Sequence, residues 1–288
     1  MKKTTVIIMI YTLIASILPT IIFNEWIGGK MNWVPIQIGV LSLVSLYHCL
    51  TKDQYNLSKF TLILTAVVAS QFIADLISKM PWWRVWFAPY TFIGNFGGTI
   101  LLKFIFVIPI IILLHIVYRS PEEVFLTKGD LSIKAERIEW LGIKWNSITW
   151  GRLALISALL ISIGTLLLTV ITVTGFSVPR RLEELPMNLP LIILFALGNS
   201  FSEGIVYRSA IMGPLKKVLC KNHVLLIAAV FFGIGHYYGA PSGVVGVAMS
   251  ILLGWFMCRS MYKTGGFVSA WIIHFMQDVV IFSAIIMR

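Results

Sequence analysis

Four ionisable side chains, Glu203, His236, His274 and Asp278, lie in three separate apolar runs of the sequence. An ionisable group inside a bilayer costs about 2.5–3.5 kcal/mol on insertion scales, so such residues are functional candidates. A carboxylate and a neutral imidazole can together activate a water molecule as a general base. A second imidazole can stabilise the oxyanion that forms when this water attacks a carbonyl group. These residue types therefore indicate hydrolytic chemistry.

The same residue types also form an acceptable zinc ligand set, with Glu203, His236 and His274 as the candidate ligands. Their spacing does not choose between the two chemistries. The chain lacks the HExxH sequence, which would be a sharper indication of zinc. Its three cysteines also lack the CxxC spacing that is typical of metal sites.

Helix geometry predicts which of these residues share a face. His274 and Asp278 are one helical turn apart, and Phe232 and His236 are one turn apart on another run. At about 1.5 Å per residue, Glu203, His236 and His274 lie about 12–21 Å from the predicted cytoplasmic ends of their helices. Three spans can therefore bring a carboxylate and two imidazoles together near the middle of the bilayer.

Two further polar residues flank Glu203 in its run. Asn199 lies one turn before Glu203 and is predicted to hydrogen-bond its carboxyl group. Arg208 lies five residues after Glu203, which in a regular α-helix points it about 140° away. We therefore expect Arg208 to serve another helix or to reach an interface.

The composition indicates that lipid surrounds most of the elements that carry these residues. The chain is 58% hydrophobic and 12% charged, whereas soluble domains are roughly 25% charged. Its net charge of +11 lies mostly in loops between apolar runs, where Lys and Arg set membrane topology. We therefore predict a lipid bilayer as a partner and no nucleic acid. The compact loops and the absence of an organelle address predict a multi-pass protein of a bacterial cell membrane.

About nine runs approach the ~20 apolar residues that a membrane-spanning helix needs. They are Thr4–Phe23, Trp33–Leu50, Phe60–Ser78, Ala88–Tyr118, Leu153–Gly175, Leu189–Gly213, Asn222–Tyr237, Ser242–Tyr262 and Gly266–Met287. Because Trp33–Leu50 is marginal and Asn222–Tyr237 is short, eight spans is the alternative. The predicted fold class is all-α, a polytopic transmembrane helix bundle of about 8–9 spans.

The longest polar segment, Arg119–Trp150, divides the chain into three predicted regions. Residues 1–118 form an N-terminal four-span membrane region, and residues 151–288 form a C-terminal membrane region. Residues 119–150 form a polar loop, in which Trp140 and Trp145 alternate with charges as in segments that lie at a membrane surface.

Three motifs in the C-terminal region resemble those of the CAAX-processing and bacteriocin-processing (CPBP, or Abi) family of intramembrane proteases. That family carries EExxxR, FxxxH and HxxxN or HxxxD on successive helices. The corresponding residues here are Glu203-Gly204-xxx-Arg208, Phe232-xxx-His236 and His274-xxx-Asp278. Each motif is weak alone, but the ordered triple within a membrane protein is specific. The resemblance covers about residues 189–287 and implies that this stretch is the protease core.

The resemblance implies an intramembrane endopeptidase that hydrolyses a peptide bond in a peptide or membrane-protein substrate. It implies that Glu203 and His236 activate the water, and that His274 and Asp278 form the oxyanion site. The residues expected to be structural or to orient the substrate are Arg208, Phe232 and Asn199. The sequence predicts no oligomeric state.

Both metal-dependent and metal-free mechanisms have been argued for this family. We favour the metal-free, glutamate-type mechanism, because the pair of Glu203 and His236 suffices and no cysteine that could bind a metal is near. No cofactor is favoured, and zinc is the alternative.

The chain departs from the family pattern at Gly204, where the second Glu of EExxxR is expected. That Glu and Arg208 would be partners one turn apart, so this chain has lost a predicted salt bridge. The departure favours an alternative function, a non-catalytic membrane scaffold or bacteriocin-immunity protein of the same fold. A transporter that uses the polar cluster as a proton relay is a third hypothesis.

Structural roles are the alternative for each polar residue. Glu203, for example, would then be held by Asn199 or Tyr207. In the N-terminal region, Asp75 and Lys103 are interpreted as a pair that helps helices to pack rather than as part of a site.

Overall fold

The computed structural model describes residues 3–29, 31–51, 54–87, 93–143, 147–169, 182–239 and 241–287. Within these ranges the regular elements are all helical, apart from two isolated β-bridges. Parts of two predicted spans, at 88–92 and 170–175, lie outside the described residues, as does Trp145. The α-helices are α1 (Lys3–Ala15), α2 (Leu18–Ile21), α3 (Val34–Leu50), α4 (Tyr55–Ser78), α5 (Pro81–Trp86), α6 (Gly98–Tyr118), α7 (Trp150–Thr169), α8 (Leu185–Gly204), α9 (Ala210–Leu215), α10 (Lys221–Ile234), α11 (Gly243–Thr264) and α12 (Val268–Ile286).

Among the described residues, six helices are long and apolar enough to cross a membrane. A seventh candidate is a pair of helical segments, Lys3–Ala15 and Leu18–Ile27, bent by 61°. The break falls where Pro19 opens α2, because proline lacks the N–H that would continue α1. The structure thus confirms an all-helical, multi-pass membrane protein.

The two marginal spans correspond to short helices. α3 has 17 residues and α10 has 14. At about 1.5 Å per residue these lengths are about 26 and 21 Å, less than the roughly 30 Å of a hydrocarbon core. The count of eight or nine spans therefore stays a prediction.

The candidate spans expose apolar side chains along their outer faces. On α7, for example, Leu155, Leu159 and Ile163 are spaced one turn apart and are 60%, 56% and 47% exposed. Contiguous apolar surface of this kind is unstable in water and stable against lipid chains. The bilayer is therefore the medium that these faces require.

The chain forms two compact units, and each draws on both sides of the polar segment 119–150. Unit 1 comprises Met1–Leu76, Phe106–Leu126 and Ile205–Arg259. Within it, α10 contacts α1 and α9, and its inner face is fully buried at residues such as Ile227 and Ala228.

Unit 2 comprises Ile77–Ile105, Thr127–Gly204 and Ser260–Arg288. Here α12 packs along both α7 and α8. The side chains that fill the core between α6, α8 and α12 are Ile100, Ile192, Phe195, Ala196, Phe282 and Ile286. This packing fixes α12 beside α8, and both helices carry candidate site residues.

The described part of the polar segment is a folded loop with two antiparallel β-bridges. They join Lys134 with Thr149 and Ile138 with Ile143. Its first residues dock onto the turn that begins α12. The Asp130 N–H donates to Thr264 O at 2.8 Å, and the Phe267 N–H donates to Thr127 O at 2.8 Å.

Glycine is required at Gly129 in this docked turn. Its φ of +75° is in the left-handed region, and a Cβ there would lie 2.8 Å from the Gly266 backbone. The docked loop therefore helps to set where α12 begins.

Candidate active site

A lysine from α6 reaches the carboxylate of Glu203 on α8. The Lys103 Nζ donates to Glu203 Oε1 at 2.7 Å and to Asn199 Oδ1 at 2.8 Å. Asn199 and Glu203 are one turn apart, so a single ammonium group contacts both of them. The structure therefore gives the candidate carboxylate a cationic partner.

The other side of the cluster comes from α12. His274 Nε2 is 3.6 Å from Glu203 Oε2 and 3.6 Å from Asp278 Oδ1. Asn199 Nδ2 donates to Asp278 Oδ2 at 3.0 Å. Five side chains thus form a closed five-residue ring, in the order Lys103, Glu203, His274, Asp278 and Asn199.

The ring is buried except at the lysine. Glu203, Asn199, Asp278 and His274 are 9%, 7%, 5% and 3% exposed, whereas the Lys103 side chain is 40% exposed. The ammonium group of Lys103 therefore lies at the more exposed side of the ring, and both carboxylates and the imidazole lie in its buried part.

The structure brings together four predicted residues: Asn199, Glu203, His274 and Asp278. The pairing of His274 with Asp278 across one turn is as expected from their spacing. The Asn199 amide bonds Lys103 and Asp278, so it joins two sides of the ring. The predicted bond from Asn199 to Glu203 stays a prediction.

Lys103 is the site residue that sequence reasoning missed. Its position in an apolar run is visible in the sequence, but the sequence suggests packing with Asp75. The signal that points to a site is the free-energy cost of an ammonium group in the bilayer, which is similar to the cost of the other candidates. Nothing in the spacing along the chain links α6 to α8, so only the fold shows that Lys103 contacts Glu203.

The remaining predicted residues, Arg208, Phe232 and His236, form a second group in unit 1. The Phe232 ring lies 4.3 Å from the His236 ring, centroid to centroid, and the Arg208 guanidinium lies 5.5 Å above the Phe232 ring. Arg208 is fully buried, where an aromatic face helps to stabilise its charge. Phe232 and His236, which are one turn apart in the sequence, are thus in contact.

The tautomer of His236 follows from its hydrogen bond. His236 Nδ1 lies 2.8 Å from the backbone oxygen of Phe232. A carbonyl oxygen can only accept, so Nδ1 carries the hydrogen and Nε2 of the neutral ring carries the lone pair. His236 lies just beyond the end of α10 and is half-buried. Its Nε2 is therefore suited to accept a proton.

A π-helical turn, Ile205–Ser209, joins α8 to α9 directly after Glu203 and Gly204. Such turns widen the helix and occur frequently at functional sites. The angle of about 140° expected between Glu203 and Arg208 applies to a regular α-helix, so it does not hold across this turn.

The described residues contain no group of three or more His, Cys, Asp or Glu side chains that is placed to hold a metal ion. The carboxylate of Glu203 already contacts the Lys103 ammonium, which repels a divalent cation. This contact disfavours Glu203 as a zinc ligand.

The order and chemistry of these residues agree with one protein family. Residues 185–280 match the family model of type II CAAX prenyl endopeptidase Rce1-like proteins. The match covers about a third of the chain and includes every predicted site residue. It confirms the resemblance to the CPBP and CAAX proteases. No curated protein and no solved structure matches the chain.

The Rce1-like region, residues 185–280, is therefore similar to an intramembrane protease of CAAX type. Lys103 lies outside this region, although its ammonium contacts two residues within it. The similarity to the family thus does not account for the cationic member of the five-residue ring.

The Rce1-like region also depends on close helix packing before His236. A Cβ at Gly233 would lie 2.8 Å from Val247 O and 3.0 Å from Ile251 N, which are backbone atoms of α11. We expect Gly233→Ala to lower the free energy of unfolding by about 1–3 kcal/mol, because α10 and α11 must separate. Thermal unfolding of the purified protein in detergent measures this effect.

Gly39→Ala on α3 is the matched control, because a Cβ there meets no atom within 4 Å. In an open helical position, alanine should stabilise the helix by about 0.5–1 kcal/mol. Equal unfolding temperatures for the two variants would show that α10 and α11 are not in this contact.

Proposed function

We propose that this chain is an intramembrane endopeptidase of CPBP or CAAX-protease type, which hydrolyses a peptide bond in a peptide or membrane-protein substrate. The observation that carries the proposal is the buried five-residue ring, which fixes an acidic side chain beside an imidazole within membrane-spanning helices. Polar clusters of this kind are costly in a bilayer and are kept for function.

In the first step, Glu203 and His236 act together as the general base. Glu203 is held by the Lys103 ammonium, and His236 presents Nε2 as its proton acceptor. The water oxygen attacks the carbonyl carbon of the scissile bond, and the water proton passes to this pair. Proton transfer to a positioned base contributes about 10²–10⁴ to the rate.

In the same step, His274 stabilises the oxyanion of the tetrahedral intermediate by donating from Nε2. Asp278 acts through His274, because its carboxylate lies 3.6 Å from Nε2 and helps to orient the imidazole. Asn199 holds Asp278 in turn. Breakdown of the intermediate breaks the C–N bond, and the proton held by Glu203 and His236 passes to the departing amine.

The reaction needs no metal in this scheme, and the Lys103 ammonium at Glu203 supports that choice. Arg208 and Phe232 are proposed to support His236 through their stacked contact. We further propose eight or nine membrane-crossing segments, with α3 and α10 as the short ones, in a bacterial cell membrane.

The proposal is tested by comparing peptide termini in membranes from cells that express the native chain or Glu203→Gln/His236→Ala. Both proteins must be present at equal levels. New termini that depend on the native chain are expected, because the double variant lacks both parts of the general base. These termini also identify the substrate and the cleavage position.

Glu183→Gln is the control, because this exposed glutamate precedes α8 and should leave cleavage unchanged. Identical termini with native and double-variant proteins, together with an unchanged cellular phenotype, would contradict proteolysis. The non-catalytic scaffold or immunity protein would then be the better interpretation.

A further inference from the structure

We infer that Lys103 is a positioning residue of the site, which holds one carboxylate oxygen of Glu203 and directs the other towards His274. This inference rests on the proposed function. It assigns part of the catalytic machinery to α6, a helix outside the Rce1-like region.

The geometry of the carboxylate carries the first step. Lys103 Nζ holds Glu203 Oε1 at 2.7 Å, a distance typical of a charge-assisted hydrogen bond. Oε2 then faces His274 Nε2 at 3.6 Å, which is too long for a direct hydrogen bond. One oxygen is thus fixed by the ammonium, and the other is directed towards the proposed oxyanion donor.

The orientation of Lys103 is itself fixed by a second acceptor. Its ammonium also donates to Asn199 Oδ1 at 2.8 Å, and the same amide donates to Asp278. Lys103 therefore links the base side of the ring with the side that holds His274. A surface lysine that snorkels without partners would not make these two contacts.

Charge supplies the second step. Burying a carboxylate is costly unless a group of opposite charge contacts it. Glu203 is 9% exposed, and the described groups that face it include the Lys103 ammonium from α6 and the His274 imidazole from α12. Lys103 thus offsets the cost of burying the Glu203 carboxylate and holds it in this orientation.

The experiment measures kcat and KM for the native protein, Lys103→Met and Lys103→Arg. The probe is a fluorogenic peptide with a prenylated CAAX sequence, cleaved by the purified full chain in detergent. Methionine keeps the length and apolar stem of lysine and removes its charge. Arginine keeps the charge and can still donate to both acceptors.

We expect Lys103→Met to lower kcat about 10–100-fold and to change KM little. The reason is that a misplaced base slows proton transfer but leaves the groups that bind the substrate in place. Lys103→Arg should restore most of kcat, because arginine can still hold the same carboxylate oxygen.

Lys59→Met is the matched control. Lys59 lies near the start of α4, as Lys103 lies near the start of α6, and both are partly buried. Lys59 contacts the rings of Tyr55 and Tyr118 and takes no part in the five-residue ring. Its replacement should leave kcat and KM unchanged.

A native kcat in Lys103→Met would overturn the inference and leave the proposed function intact. Equal losses of kcat in Lys103→Met and Lys103→Arg would likewise show a merely structural role. If the native protein cleaves neither this probe nor any membrane protein, the proposed function itself is wrong.

A second measurement applies even if Lys103→Met loses activity through poor folding. The melting temperature is measured for Lys103→Met in the native background and in a Glu203→Gln background. If the two charges are coupled, the fall caused by Lys103→Met should shrink by at least about half when Glu203 is already neutral. Equal falls in the two backgrounds would overturn the inference.

Discussion

Replacing Glu203 by glutamine should lower kcat by about 10²–10⁴-fold, because an amide cannot accept the proton of the attacking water. Glutamine keeps the size of the side chain, and its amide oxygen can still accept from Lys103. KM should therefore change little, since the substrate is bound by groups that remain in place. Steady-state kinetics of the purified protein on a peptide substrate separate the two constants.

The melting temperature of Glu203→Gln should fall only slightly. The substitution removes the negative partner of Lys103, but 40% exposure lets that ammonium regain solvation. Glu183→Gln should match the native protein in both kcat and stability, because Glu183 is exposed. Full activity in Glu203→Gln would rule out the assignment of Glu203 as the base.

Replacing His274 by alanine should lower kcat by about 10²–10³-fold through the loss of the oxyanion donor. The same change removes the imidazole that lies between two carboxylates, those of Glu203 and Asp278. The two carboxylates then face each other without this group, so the variant should also lose stability. Kinetics and thermal unfolding of the purified protein test both effects.

His274→Gln distinguishes the loss of the hydrogen bond from the loss of a group that can become a cation. The glutamine amide still donates a hydrogen bond, but it stays neutral. We expect this variant to retain more activity than His274→Ala. His115→Ala is the control, since His115 is an exposed histidine near the end of α6. If His274→Ala and His115→Ala behave alike, His274 has no role in the reaction.

The C-terminal site residues could be predicted because each ionisable side chain costs free energy inside the bilayer. Glu203, His274 and Asp278 interrupt apolar runs, and helical spacing placed the last two on one face. The structure brings these three side chains together. Their chemistry and order also carried the resemblance that the family match on residues 185–280 confirms.

Lys103 could not be placed in the site from the sequence, because its contacts depend on how α6 packs against α8. Periodicity gives the face of one helix and not its neighbour. The same limit applies to the Asn199 amide. Its spacing places it one turn from Glu203 on α8, but the spacing does not show that it contacts Lys103 of α6 and Asp278 of α12.

Helix ends and irregular turns were the other features that the sequence did not reveal. The π-helical turn Ile205–Ser209 leaves no recognised residue pattern, and yet it changes the direction of every side chain after Gly204. Hydropathy marked α3 and α10 as the marginal and the short apolar run, but it placed the end of α10 at Tyr237 instead of Ile234. Length in a bilayer is set by where the helix ends, which turns and loops decide.

The ring closes with α12, which a ribosome makes after every other helix described here. Before α12 is inserted, the membrane already holds Lys103 and Glu203, whose opposite charges neutralise each other. The growing chain therefore carries this ion pair before it carries His274, the proposed oxyanion donor. A chain made in this order can assemble the proposed site only after α12 has entered the membrane.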